Sequence, residues 1–430
     1  MADTSVKPVA PGGAAIPTHG NMQAMAPNGT PVNTYFRKGF GLKAAIQDEL
    51  AEDYTGHLVD LLKSRDYSLT VAGVTIRLAK EFGFCYGVER AVDYAYQARK
   101  KFPDRTIYLA GEIIHNPHVN SKLRAMGITF LLPRDGKIDF GIVNPEDVVI
   151  LPAFGVTISD FEILRQIGCV MVDTTCGSVL NVWKRVESYA RDGFTSLIHG
   201  KYYHEETRAT ASQAEKYAGG HYLIVRNLEE AQVVCDFIEA RLSASALLKR
   251  FAHAASPNFD PDRDLARIGV ANQTTMLARE SLAIGELVGK SMARAKGDEY
   301  AAVNFRTFDT ICSATQERQD AVVELLKEPL DVMVVIGGYN SSNTMSLAAL
   351  CSETVPTFHV EDAESIDPAS RTISHRPLGS KESVEVTNWL PDRNPLRVGV
   401  TAGASTPNNK IGEAVGRIFA SREIDPNTVR

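Results

Sequence analysis

Three cysteines occupy the same kind of place along this chain, and each is suited to hold a metal. Cys85 follows Gly83 and Phe84, Cys176 follows Asp173-Thr174-Thr175, and Cys312 follows Asp309-Thr310-Ile311. A strand pattern precedes each one: Val74 to Ala79, Val170 to Asp173, and Val303 to Phe308. A helical pattern follows, with Val88, Ala91, Val92 and Ala95 on one stripe, then Val179, Val182, Trp183 and Val186, then Ala321, Val322, Leu325 and Leu326. A sulfur just ahead of a helix meets unpaired N–H groups and the positive end of the helix dipole, which favours the thiolate an iron ion needs. Three thiolates are one short of the set that holds an electron-transfer cluster, so a cluster bound this way would keep one iron open to a substrate oxygen. With no close Cys-x-x-Cys spacing, the residues alone also allow three unrelated buried thiols. Cys169, Cys235 and Cys351 fall within apolar or amphipathic stretches and are assigned to the core.

Polar residues gather after other apolar runs. Val332 to Ile336 leads into Gly337-Gly338-Tyr339-Asn340-Ser341-Ser342-Asn343-Thr344, a small-polar loop ahead of a helical pattern and hence a ready anion site. Arg397 to Val400 leads into Thr401-Ala402-Gly403-Ala404-Ser405-Thr406-Pro407, which reads as a Ser/Thr cap with Pro in the first helical turn. Ordinary capping explains either loop alone as well as phosphate binding does. His115 and His204 both follow apolar strands. A single histidine in such a place is commonly structural, but two beside two small-polar loops suit the oxygens of a diphosphate. Glu205 and Glu206 at a helix start favour the dipole, and one of them could instead deliver protons in a reduction.

These residues need rigid elements to position them. Three strand–cysteine–helix units predict three similar α/β domains, each offering one thiolate to a shared centre, and parallel sheets place ligand residues at the carboxyl ends of their strands. The expected divisions are a disordered tail over 1–33, a helical extension over 34–73, domains over 74–176, 177–311 and 312–407, and a C-terminal helix and tail over 408–430. The tail is rich in Pro, Gly and Ala and has no aromatic residue, so it buries too little to offset ordering entropy. Helical spacing through Ile46, Leu50, Leu58, Leu61 and Leu62 predicts one helical region from Leu42 to Ser64.

With 430 residues the chain exceeds the size of a single core. Its 46 basic and 52 acidic residues give a net charge of −6, which argues against a nucleic-acid partner. No apolar run reaches membrane-spanning length. Six scattered cysteines suit a reducing compartment, and the N-terminal region resembles neither a secretory signal nor a usual transit peptide, so cytoplasm is expected, with a plastid as the less favoured location.

Taken in order, Gly83-Phe84-Cys85-Tyr86-Gly87, Glu112 to Pro117, Asp173 to Cys176, His204-Glu205-Glu206-Thr207, Asn272-Gln273-Thr274-Thr275, Ile311-Cys312 to Gln319, Asn340 to Asn343 and Thr401 to Ser405 resemble the motifs of the 4-hydroxy-3-methylbut-2-enyl diphosphate reductases. These are iron–sulfur enzymes that end the non-mevalonate isoprenoid pathway, and the resemblance spans about residues 74 to 407. It implies a pseudo-threefold, three-lobed arrangement of α/β domains around a central 4Fe-4S cluster ligated by Cys85, Cys176 and Cys312. It further implies diphosphate contacts from His115, His204, Ser341, Ser342, Asn343 and Ser405, proton delivery by Glu206, and orientation of the substrate alcohol by Thr274. The allylic diphosphate would be the substrate, and a ferredoxin- or flavodoxin-type protein the electron donor. Phe154 stands where many bacterial members carry a histidine, and Phe cannot donate to phosphate. The Pro152-Ala153-Phe154-Gly155 wording is closer to the plant and cyanobacterial subgroup. The rival readings are a three-cysteine Lewis-acid enzyme of the quinolinate synthase type, a zinc hydrolase, and a non-catalytic diphosphate-binding module. Electron stoichiometry and metal content separate them.

Overall fold

The computed structural model describes residues 23–25, 31–308 and 310–429. The tail expected over 1–33 lies largely outside them, and within it Gln23–Met25 pairs antiparallel with Pro31–Asn33. Three sheets dominate the architecture. In the first, the order is Tyr35–Phe36, Val170–Asp173, Val148–Leu151, Ile107–Ala110 and Ile128–Leu131, all parallel. The second runs Tyr222–Val225, Thr195–His199, Ile268–Asn272 and Phe305–Thr307, also all parallel. In the third, Thr357–Val360, Val332–Ile336, Leu396–Ala402 and Val74–Leu78 are parallel, and Ser68–Val71 closes the edge antiparallel. Central strands such as Val148–Leu151, Ile268–Asn272 and Val332–Ile336 are buried at every position. Such runs arise where helices cover both faces of a parallel sheet.

The chain passes from one lobe to the next at each of the three cysteines. Strand Val74–Leu78 lies in the third sheet, yet the helix after Cys85, Tyr86–Lys101, packs its Val88, Ala91, Val92 and Ala95 into the core of the first. Strand Val170–Asp173 belongs to the first sheet, whereas the helix after Cys176, Gly177–Arg191, packs Val182 and Val186 with Phe194 and Ala271 of the second. Strand Phe305–Thr307 edges the second sheet, and the helix after Cys312, Ser313–Leu325, packs Val322 and Leu325 with Met333 and Val335 of the third. The cyclic handover points all three cysteines at the junction between lobes.

Two expected boundaries differ for this reason. Segment 74–176 does not own its first strand: Val74–Leu78 buries alternate residues and takes one neighbour, Leu396–Ala402, by a pairing with no local signature in sequence, and the other, Ser68–Val71, by a hairpin across Ala72-Gly73. Nor does 34–73 stand apart, since it supplies edge strands to two sheets. Its helical region is two helices, Lys43–Tyr54 and His57–Ser64. They part at Gly56, where a Cβ would lie 2.5 Å from the Asn408 carbonyl oxygen, so glycine permits the C-terminal helix, Asn408–Ala420, to start against this turn. That helix packs Ile411 and Val415 with Val59 and Leu62.

Candidate active site

All three cysteines are N-cap residues in extended conformation, at the starts of Tyr86–Lys101, Gly177–Arg191 and Ser313–Leu325. They are partly exposed and unpaired, whereas Cys169, Cys235 and Cys351 are fully buried. The Cys85 sulfur lies close enough to interact electrostatically with both Cys176 and Cys312. Gly87 keeps the space beside them clear, because a Cβ there would lie 2.6 Å from Cys176 Sγ and 3.9 Å from Cys85 Sγ. Cys312 Sγ accepts from the Thr315 N–H at 3.3 Å and contacts its hydroxyl at 2.9 Å. Burial raises the Cys85 thiol and pushes Cys312 up to about 11. Such thiols ionise when a bound metal supplies the missing positive charge. Three convergent sulfurs, each on a helix N-cap residue and with a cleared approach, fit a cluster that takes three protein ligands.

The cysteine loops are fixed from neighbouring lobes. Arg318, buried and on the helix after Cys312, donates to the Gly83 carbonyl from Nε at 3.2 Å and Nη2 at 2.8 Å, and to Phe84 O at 3.1 Å. Its guanidinium thus ties the Cys312 helix to the Cys85 loop and works against burial in holding the Cys85 thiol down. Arg90 similarly reaches Thr175 O, beside Cys176, at 3.3 Å. The backbone N–H of Cys85 bonds to Ala404 O and that of Cys176 to Ala153 O. Both arginines fall within the cysteine motifs, but nothing in the sequence alone gives them this role.

On the other side stand the two histidines. Their rings meet edge to face with centroids 5.1 Å apart, and Phe154 stacks on His115 at 4.7 Å. The phenyl ring therefore braces the imidazole in place of making a polar contact. His115 Nδ1 bonds to Glu112 at 3.0 Å. Its Nε2 lies 3.5 Å from Glu205, an ion-pair distance too long for a good hydrogen bond, and among the described residues this nitrogen has no hydrogen-bonding partner. Although burial opposes it, these two carboxylates raise the His115 pKa to about 9. His204 caps helix Glu205–Ser212 by accepting from the Glu206 N–H at Nδ1, 3.1 Å, which leaves Nε2 as the donor of a neutral imidazole. Burial, reinforced by His115, keeps His204 neutral. One imidazolium and one neutral N–H donor thus face each other.

Ser341 caps helix Ser342–Ser352 through Thr344 N–H. Asn343 accepts from Ala404 N–H at 2.8 Å and leaves its buried Nδ2 without a partner among the described residues, a donor available to a ligand. Ser405 Oγ reaches His115 O at 3.3 Å, and Gly338 approaches the same carbonyl so closely that a Cβ would stand 2.5 Å away. These contacts bring the Ser341–Asn343 loop, Ser405 and His115 together. The expected Ser/Thr cap near Pro407 differs: Pro407 itself is the N-cap, because Thr406 Oγ1 turns back to Ile336 O at 3.1 Å and Ser405 is held at His115.

Glu206 lies between the two halves. Buried on the first turn of its helix, it accepts from the Thr274 N–H at 2.5 Å, and the Thr274 hydroxyl also bonds to it. It acts electrostatically on Cys312 and feels His115. Burial outweighs the Thr274 bonds and raises its pKa to about 7, so the carboxyl holds a proton near neutrality. Gln273 locks this region: its Oε1 accepts from Thr207 Oγ1 and Lys201 N, and its Nε2 donates to Thr275 and Ser342.

Fold and site together define an α/β protein of three lobes with a thiol centre, a proton-retaining carboxyl and a cluster of imidazole, hydroxyl and amide groups at their junction. A family model described as LytB protein matches residues 76–419, and the chain belongs to that family. Curated relatives named 4-hydroxy-3-methylbut-2-enyl diphosphate reductase include one from Thermosynechococcus vestitus, 49% identical over 391 residues, covering 91% of this chain and 95% of the relative. Another, from Gloeobacter violaceus, is 51% identical over 390 residues, covering 90% and 92%. Among solved structures, the E-1-hydroxy-2-methyl-but-2-enyl-4-diphosphate reductase of Plasmodium falciparum shares the fold with a TM-score of 0.57, at 22% identity over 80% of this chain and 87% of that one.

Proposed function

We propose that this chain removes the allylic hydroxyl of (E)-4-hydroxy-3-methylbut-2-enyl diphosphate by reduction, giving isopentenyl and dimethylallyl diphosphate. Two electrons and two protons enter, the C–O bond breaks, the oxygen leaves as water and a C–H bond forms. The observation that carries this reading is the position of Glu206, a buried and proton-retaining acid that interacts with Cys312 on one side and His115 on the other. A 4Fe-4S cluster held by Cys85, Cys176 and Cys312 would supply the electrons and Lewis acidity.

The chain's own residues do the rest. His115 as imidazolium, the Nε2–H of His204, the Asn343 amide and the hydroxyls of Ser341, Ser342 and Ser405 hold the diphosphate by charge-assisted hydrogen bonds. Thr274 orients both the substrate alcohol and the Glu206 carboxyl. Glu206 gives its proton to the departing hydroxyl, and its pKa near 7 matches a general acid working near neutral pH. Burial of this carboxyl keeps bulk water from competing as proton source. A ferredoxin- or flavodoxin-type protein brings the electrons, and the six unpaired cysteines favour a reducing compartment. Among the described residues no helix is long and apolar enough to cross a membrane.

His115, His204 and Glu205 also place potential metal-ligand atoms within 4.8 Å of one another, the donor set of a zinc centre. Anaerobic turnover with a reduced donor decides between the readings. Two reducing equivalents consumed per product formed supports the reductase. Product formation without electron consumption, or activity that requires zinc, overturns it.

A further inference from the structure

Lys201 is a half-buried cation that the proposed mechanism leaves unused. Its Nζ donates to Ser342 Oγ at 3.1 Å and contacts Met345 Sδ at 3.6 Å, while its backbone N–H is fixed by Gln273 Oε1. Other lysines with partly buried contacts are matched by carboxylates, Lys122 with Asp53 and Lys216 with Glu187. For Lys201, among the described residues, the only partners are a hydroxyl and a thioether. Among the described residues no carboxylate offsets the cost of desolvating its ammonium, and its charge acts on His204.

The charge balance of that subsite requires a further cation. His115 carries one positive charge but has Glu112 at 3.0 Å and Glu205 at 3.5 Å, so the pair of carboxylates exceeds it. His204 is neutral, and Phe154 presents no donor. A multiply charged phosphate ligand would therefore meet a locally negative surface on the histidine side. The Ser341–Asn343 loop, held by hydroxyl and amide dipoles alone, would face it on the other side. We propose that Lys201 is a further substrate-binding residue, its ammonium passing from Ser342 to a phosphate oxygen and completing the positive charge at the diphosphate. This rests on the reading of the Ser341–Asn343 loop and the two histidines as the diphosphate subsite.

Inorganic diphosphate titrated calorimetrically into the anaerobic holoprotein tests it. Lys201→Met keeps the length of the stem and removes the charge. It should weaken diphosphate binding by about tenfold or more, as expected for loss of a charged hydrogen bond, and lessen the dependence of Kd on ionic strength. With the full substrate the loss should fall on KM more than on kcat, and Lys201→Arg should recover part of it. His204→Asn is the control for the subsite itself. If that control weakens binding while Lys201→Met binds diphosphate like the parent with the same salt dependence, the lysine assignment is wrong. If neither variant weakens binding, the diphosphate subsite is wrong as well. A Lys201→Met protein that lost cluster absorbance along with binding, with Lys201→Arg equally impaired, would make the lysine structural and also overturn the proposal.

Discussion

Replacing Glu206 by Gln separates two consequences of one buried proton. The parent carboxyl rises from 4.5 to about 7 on folding, chiefly through burial. At about 1.4 kcal/mol for each pH unit, its ionisation in the folded protein costs about 3 kcal/mol more than in the unfolded chain. Below pH 4.5 both states are protonated and there is no penalty. Above it the unfolded chain releases its proton first, so the parent loses stability as pH rises from 4.5 to about 7. The glutamine amide of the Glu206→Gln variant would still accept from the Thr274 N–H but cannot ionise. Anaerobic thermal unfolding of both proteins at pH 5 and pH 8 measures the difference. Buried histidines such as His204 and His359 titrate alike in both and cancel in the comparison. The variant should gain on the parent by up to about 3 kcal/mol at pH 8 and by little at pH 5. Single-turnover reduction of the allylic diphosphate should meanwhile fall by roughly 10²- to 10⁴-fold, the usual worth of a positioned general acid. A variant that turns over normally, or whose stability tracks the parent at both pH values, refutes the argument.

Replacing Gly87 by Ala would put a methyl group 2.6 Å from Cys176 Sγ, so iron content measured after anaerobic purification should drop well below that of the parent. Removing the Arg318 guanidinium by substitution with Met leaves the Gly83 and Phe84 carbonyls without their donor, at a cost of about 1–3 kcal/mol. Cluster loss on exposure to chelator should be faster in that variant than in the parent. Diphosphate affinity should decline as pH rises through about 9, where His115 loses its proton, and His115→Asn should flatten that decline. Calorimetric titration with inorganic diphosphate between pH 7 and 10 checks it.

Much of the site could be read from the residues because its parts are local. A strand pattern, a cysteine and a helical stripe lie within some twenty residues of each other, and the structure sets all three cysteines at helix starts. The small-polar loop ahead of Leu347 and Leu350 likewise becomes the capped helix start at Ser341. What escaped depends on distant pairing. Nothing near Val74 announces Leu396–Ala402 as its neighbour, and nothing near Gly56 announces the Asn408 carbonyl. Arg318 lies on the helical pattern that follows Cys312, but its role needs Gly83 and Phe84, over 230 positions away. Lys201 lay in full view between two named motifs, and only its contact with Ser342 distinguishes it from an exposed lysine. Phe154 shows the same dependence: its type excludes a phosphate contact, but only the stacked His115 ring reveals its service as a brace.

The proposed function requires that the sulfurs of Cys85, Cys176 and Cys312 jointly hold one redox centre. Iron and sulfide analysis of anaerobically prepared parent and Cys312→Ser proteins addresses it directly. The parent chain should carry about four irons and four sulfides, and the variant should lose the cluster. Equal iron in both proteins, or stoichiometric zinc in active parent, would contradict it.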